Sequence, residues 1–134
     1  SIHKISAERG LYLFGKSNSI SFAENSALVG KSCKDNALRM AIEFYSEEVV
    51  DDKRPLYGIY KALEVLIKEL EERYPGKGRE KLGEITGKSK KFVVDILERA
   101  QLQRYAVTSA RELLAEEECI RRAKIIIQAY ADSI

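Results

Sequence analysis

Apolar residues recur every three or four positions over most of this chain, which is the spacing of one face of an α-helix. The first such run, Leu38, Ala41, Tyr45 and Val49, follows Asp35. Aspartate is a residue type that caps helix N-termini. The pattern therefore predicts a helix that starts at Asp35 and ends at the acidic residues 51–52.

The longest apolar stripe begins after Pro55, and the first turn of a helix tolerates proline. Its positions are Leu56, Ile59, Tyr60, Leu63, Leu66, Ile67, Leu70 and Tyr74. The pair Pro75-Gly76 ends the stripe, because proline cannot continue the hydrogen-bond ladder and glycine adopts the cap conformation. We expect one long helix from Pro55 to Tyr74.

Two shorter helices and a closing helix are predicted after this stop. A short helix over about Arg79–Thr86 is followed by Gly87 and by Ser89, an expected N-cap, and a next helix carries the apolar positions. These are Phe92, Val93, Ile96, Leu97 and Ala100. Residues 110–114 fit one more helical turn. The closing helix, from Glu116, directs Cys119, Ile120, Ala123, Ile126, Ile127, Tyr130 and Ile134 to the core.

The first 33 residues show a different, alternating pattern. The stretches Leu11–Phe14 and Ser19–Ala23 flank the turn formers 15–18, which indicates a β-hairpin, and Ala27–Val29 fits a third short strand. We therefore expect a mainly α protein, a bundle of four to five helices with a small N-terminal β-hairpin or meander. The chain 1–134 is predicted to be a single domain, with 1–33 as the β-like appendage and 34–134 as the bundle.

Composition adds limits on class and compartment. The 134 residues are 45% hydrophobic and 33% charged, as in ordinary globular proteins. No apolar run approaches the roughly 18 residues of a membrane span, and no signal peptide is recognisable. We expect a soluble, cytoplasmic protein with no membrane partner, whose Cys33 and Cys119 are reduced. Because the first residue is Ser1 rather than Met, a trimmed chain or a piece of a larger protein is expected.

The basic excess lies in residues 76–104, where eight Lys and Arg stand against four Asp and Glu. Within it, the run Leu82–Leu97 resembles a helix-turn-helix, in which a short helix, a glycine turn and a serine-capped second helix pack together. The residues that would face DNA are Lys88, Ser89, Lys90 and Lys91. Two alternatives stay open: nucleic-acid contact through phosphates, and plain helix packing beneath lysines that serve solubility.

Catalytic and metal-binding patterns are missing from the sequence. His3 is the single histidine, so no Ser-His-Asp or Cys-His arrangement can be assembled with it at a chain terminus. Neither Gly76–Arg79 nor Gly87–Ser89 has the spacing or the preceding strand of a P-loop. We expect no metal and no cofactor. Arg99, Arg104 and Tyr105 extend the candidate nucleic-acid site, since an exposed arginine–tyrosine pair can stack on a base.

Four segments carry a resemblance to a known family: residues 36–45, 55–66, 100–106 and 116–134. They resemble the paired and closing helices of HEPN-type domains, which are helical bundles. Active members of that family are metal-independent ribonucleases of toxin and antiphage systems, with an Arg followed four to six residues later by His, often at a site shared by two protomers. Arg104 falls at the position of that arginine, but residues 105–110 contain no histidine.

The resemblance implies a non-catalytic HEPN-like module that binds RNA or a protein partner, in a prokaryotic defence setting and with a homodimer as one arrangement. A helix-turn-helix DNA-binding protein is the alternative. An atypical ribonuclease around Arg104 and Tyr105 ranks third. Without histidine, its acid and base would need groups whose ordinary pKa values lie far from neutrality.

Overall fold

Helices make up almost all of the described structure, a computed structural model that describes residues 22–50, 54–104 and 114–134. They are α1 (Phe22–Ser32), α2 (Asn36–Phe44), α3 (Pro55–Arg73), α4 (Gly78–Ile85), α5 (Lys90–Arg104) and α6 (Glu116–Ser133). A π-helical turn, Tyr45–Val50, continues α2. The expected mainly α fold is confirmed, with one more helix than the sequence predicted.

The helix ends follow the capping residues read from the sequence. The Asp35 carboxylate accepts a hydrogen bond from the Leu38 N–H at 2.8 Å, which satisfies an N–H that the helix itself leaves unpaired. Pro55 occupies the first turn of α3. Gly76 follows α3 with a φ of 79°, the left-handed conformation that favours glycine. All three predictions are confirmed.

Helix α3 is the centre of the bundle, since α2, the π-helical turn, α4, α5 and α6 all contact it. Most of its apolar stripe is buried as predicted, but Tyr60 and Ile67 are half-buried and Tyr74, just past the helix end, is 44% exposed. Ile134, predicted to be buried, is 41% exposed. Fully buried large side chains come from several helices: Leu38, Ile42, Ile59, Leu63, Leu66, Leu82, Ile96, Ile126, Ile127 and Tyr130.

The predicted strand Ala27–Val29 is wrong, because these residues lie in the middle of α1. Leu28 is buried, Ala27 and Gly30 are exposed, and Val29 packs partly against the core. A run of three apolar residues is compatible with a strand or with one turn of a helix. Here the packing of α1 on α2 and α6 selects the helix. Of the predicted hairpin, Phe22 and Ala23 are helical, and its other residues lie outside the described residues.

The ends of the described chain meet at α1 and α6. The Lys31 ammonium donates a hydrogen bond to the carbonyl oxygen of Ala131 at 2.7 Å, across 100 positions of sequence. A cation at a helix C-terminus is favourable, because the last carbonyls of the helix are otherwise unpaired. None of the helices among the described residues is long and apolar enough to cross a membrane.

Candidate nucleic-acid interface

The turn between α4 and α5 is a well-formed helix end. The Lys88 N–H donates to the Gly83 carbonyl at 3.1 Å, and the Gly87 N–H donates to the Glu84 carbonyl at 2.9 Å. Gly87 has a φ of 71°. These two hydrogen bonds and the left-handed glycine make a Schellman motif, which satisfies carbonyls that a helix end leaves unpaired. The direction in which the chain enters α5 is therefore fixed.

Helices α4 and α5 approach each other at Gly83. A Cβ atom at this position would lie 2.6 Å from the carbonyl carbon of Ser89 and 2.7 Å from the nitrogen of Lys90. Both are backbone atoms, which cannot swing away as a side chain can. Only glycine permits this contact, so the start of α5 is held against α4.

The four residues predicted to face nucleic acid are all exposed: Lys88, Ser89, Lys90 and Lys91. Ser89 also caps α5, because its hydroxyl accepts from the Phe92 N–H at 3.3 Å. Lys91 contacts Asp95 at 2.7 Å, but its side chain remains 80% exposed, and exposed pairs of this kind are weak. These four consecutive residues therefore present exposed side chains at the turn and at the start of α5.

Arg122 of α6 contacts Phe92 of α5, and Arg121 precedes it in the same helix; neither arginine was predicted as a site residue from the sequence. The Arg122 guanidinium lies 4.5 Å from the centre of the Phe92 ring, and its Nη1 is 3.4 Å from the Phe92 carbonyl oxygen. Glu118 accepts hydrogen bonds from both Arg121, at 2.7 Å, and Arg122, at 2.8 Å. We call the five cations Lys88, Lys90, Lys91, Arg121 and Arg122, together with Phe92, the basic surface.

The pairing of Phe92 with Arg122 spans 30 positions of sequence, so no local pattern reveals it. The only signal in the sequence is the doublet Arg121-Arg122 on a helix whose other face is apolar. Asp95 and Glu118 pair with three of its five cations, and Glu117 is a further exposed carboxylate on the same turn as Glu118, so the cations outnumber these carboxylates by five to three. The surface is therefore suited to a polyanion.

Glu118 titrates unusually because of its two arginines. Hydrogen bonds from Arg121 and then Arg122 lower the pKa of its carboxyl from 4.5 to about 2. When a carboxyl group has a lower pKa in the folded protein than in the unfolded chain, it stabilises the fold at pH values above the unfolded-state pKa. This stabilisation is lost as the pH falls through the folded-state pKa.

We expect Glu118→Gln to lower the melting temperature at pH 7, because the ionised carboxylate and its charge-assisted hydrogen bonds from Arg121 and Arg122 are lost. The difference from the unmodified protein should shrink between about pH 4.5 and pH 2, as the native carboxylate itself becomes protonated. Melting curves across this range would measure it. Glu117→Gln, which removes an exposed charge from the same turn, is the control and should change the melting temperature less.

Arg99, the fifth predicted site residue, has a structural role that the sequence did not indicate. Its Nε donates to the carbonyl oxygen of Leu114 at 2.9 Å, and the residue is half-buried. This hydrogen bond therefore connects α5 to Leu114, which precedes α6.

We expect Arg99→Ala to lower the free energy of unfolding by about 1–2 kcal/mol, since the Leu114 carbonyl loses a charged donor. Urea denaturation monitored by circular dichroism would measure the change. Lys90→Ala, on the exposed part of the same helix, should leave stability within roughly 0.5 kcal/mol. An equal loss in the two variants would show that the Leu114 contact contributes nothing.

The remaining predicted site residues are not described at the level of side chains. Helix α5 ends at Arg104, whose side chain lies outside the described residues, and so does Tyr105. The candidate ribonuclease site therefore stays a prediction. Across the described ranges 22–50, 54–104 and 114–134, no group of three or more metal-ligating side chains occurs.

Comparison of the chain with protein-family models, with curated proteins and with solved structures gave no match. Function therefore has to be argued from the basic surface and from the sequence.

Proposed function

We propose that this chain is a non-catalytic nucleic-acid-binding module that contacts phosphates through the basic surface. The observation that carries the proposal is the contact of Phe92 with Lys88 and with Arg122 of α6, next to the exposed side chains of Lys90 and Lys91. Cationic side chains release counterions from the phosphate backbone when they bind it, and this supplies affinity without reading sequence.

The kinds of side chain present favour backbone contact over base reading. Asn and Gln side chains read adenine edges bidentately, and neither residue type occurs among Ser89, Lys90 and Lys91, which precede the half-buried Phe92. The resemblance to HEPN domains supports RNA as the natural ligand. The absence of histidine from residues 105–110 supports a role without cleavage.

The test is fluorescence-anisotropy titration with short single-stranded RNA and with duplex DNA at two salt concentrations. With about three phosphate contacts on a single strand, affinity should fall about 20-fold between roughly 50 and 200 mM salt. In the variant Lys90→Ala with Lys91→Ala, the slope of log affinity against log salt should decrease by about 0.7 for each lysine removed.

The double variant Lys34→Ala with Lys68→Ala is the matched control. It removes two exposed lysines from the groove between α2 and α3, and its net charge equals that of the Lys90→Ala, Lys91→Ala variant. This control should bind like the unmodified chain. If the two double variants lose affinity equally, binding depends on net charge alone and the proposed site is wrong. If neither probe binds, the proposed function itself is wrong. Tighter binding to duplex DNA would support the helix-turn-helix alternative.

A further inference from the structure

Beyond phosphate contact, we infer that the basic surface takes single-stranded nucleic acid and stacks one base on the ring of Phe92. The inference rests on the proposed function and names the class of ligand. Its structural basis is an aromatic ring in contact with two cations, Lys88 of the turn before α5 and Arg122 of α6.

Arg122 holds the Phe92 ring in a defined position. The guanidinium lies 4.5 Å from the ring centre, its Nε donates to Glu118 at 2.8 Å, and its side chain is only 18% exposed. A guanidinium held by a carboxylate and by a ring has little freedom to move. Because Phe92 also packs against the core, the ring is pre-organised. A ligand that stacks on it therefore avoids most of the cost of ordering the side chain.

Lys88 covers the ring only loosely. Its ammonium lies 5.9 Å from the ring centre, at the outer limit of a cation–π contact, and the residue is exposed. Because this contact is weak and Lys88 is exposed, breaking it costs little free energy. The lysine can then bind a phosphate while a base stacks on the Phe92 ring in its place. Arg121, which is 58% exposed, and Lys90 are the cations left for neighbouring phosphates.

This combination suits a single strand and does not suit a duplex. In a duplex the bases are already paired and stacked, so their faces are not available to a side chain. In a single strand each base can stack on an aromatic ring, and stacking with nearby cations is the usual mode of single-strand binding. Stacking does not depend on the 2′-hydroxyl, so oligouridine RNA and oligothymidine DNA should bind with similar affinity.

The test compares an oligouridine RNA with an abasic strand of the same length, which keeps the phosphates but has no bases. The unmodified chain should bind the oligouridine about tenfold more tightly than the abasic strand. Phe92→Leu should remove that preference, because it lowers the affinity for the oligouridine more than the affinity for the abasic strand. Phe92→Tyr keeps the ring and should keep the preference. The melting temperatures of both variants check that the fold is retained.

A second measurement does not depend on any substitution. A strand that carries 5-iodouridine should photocrosslink to Phe92, and mass spectrometry of the tryptic peptides would identify the residue. Equal binding of the abasic strand and the oligouridine, or crosslinking elsewhere only, would overturn the stacking inference and leave phosphate binding standing. Tighter binding of a duplex of equal length would also overturn it. Failure of every strand to bind would overturn both proposals.

Discussion

Replacing Gly83 by alanine is expected to destabilise the protein by about 3 kcal/mol and to lower its melting temperature by roughly 10 °C. The added Cβ would lie 2.6–2.7 Å from backbone atoms of Ser89 and Lys90, so α4 and α5 must move apart. An alanine normally favours a helix by about 0.5–1 kcal/mol over glycine, and the clash has to exceed that gain. Thermal melting followed by circular dichroism would measure the loss.

Gly30→Ala is the matched control, because this glycine is also helical and nothing lies within 4 Å of its added Cβ. It should stabilise the protein slightly, by about 0.5 kcal/mol. The contrast separates the effect of close helix packing from the effect of glycine on helix propensity. A Gly83→Ala protein that melts at the unmodified temperature would mean that α4 and α5 do not approach as described.

Leu66→Ala is expected to cost about 3 kcal/mol, since the side chain is fully buried in the middle of the central helix α3. The loss has two sources: the transfer of the removed methyl groups from water is forfeited, and a cavity stays behind that the surrounding helices only partly fill. Urea unfolding would show the effect as a lower midpoint with an unchanged slope.

Leu66→Met keeps the volume of the side chain and should cost less than about 1.5 kcal/mol. Ile134→Ala serves as a second control, because Ile134 is 41% exposed and its truncation should change stability little. A large effect at Ile134 and a small one at Leu66 would place the core elsewhere.

Local signals in the sequence were sufficient for most helix boundaries. Asp35 and Ser89 cap as predicted, since a side-chain oxygen three residues before an unpaired N–H satisfies it wherever the helix packs. Pro55 and the Pro75-Gly76 pair act through backbone geometry that depends only on the residue itself. Features of this kind can be predicted because cause and effect lie within one turn.

Features that depend on contacts between helices were not predictable. The π-helical turn Tyr45–Val50 lies where Gly58 of α3 approaches the carbonyl of Phe44, and a Cβ at Gly58 would overlap the Glu48 side chain. Nothing in the run itself marks a π-helix. The strand predicted at Ala27–Val29 failed for the same reason, because α2 and α6 decide its conformation from a distance.

The candidate site divides in the same way. The exposed lysines could be predicted from a local excess of positive charge. The contribution of Arg122 and Phe92 could not be predicted from the sequence, because it depends on the packing of α6 on α5. The structural role of Arg99 was missed for a related reason: its partner is the backbone carbonyl of Leu114, and every residue type carries such a carbonyl.

The hydrogen bond from Lys31 to the Ala131 carbonyl has a consequence for the order of events during protein synthesis. Helix α1 is translated long before α6, but this contact cannot form until Ala131 has left the ribosome. Until then, among the described helices, α1 packs mainly against α2, and the buried Leu28 lacks the surroundings that α6 supplies. Of the described helices, α1 would then have the least packing in a nascent chain halted before α6, and it would be accessible to a protease or a chaperone.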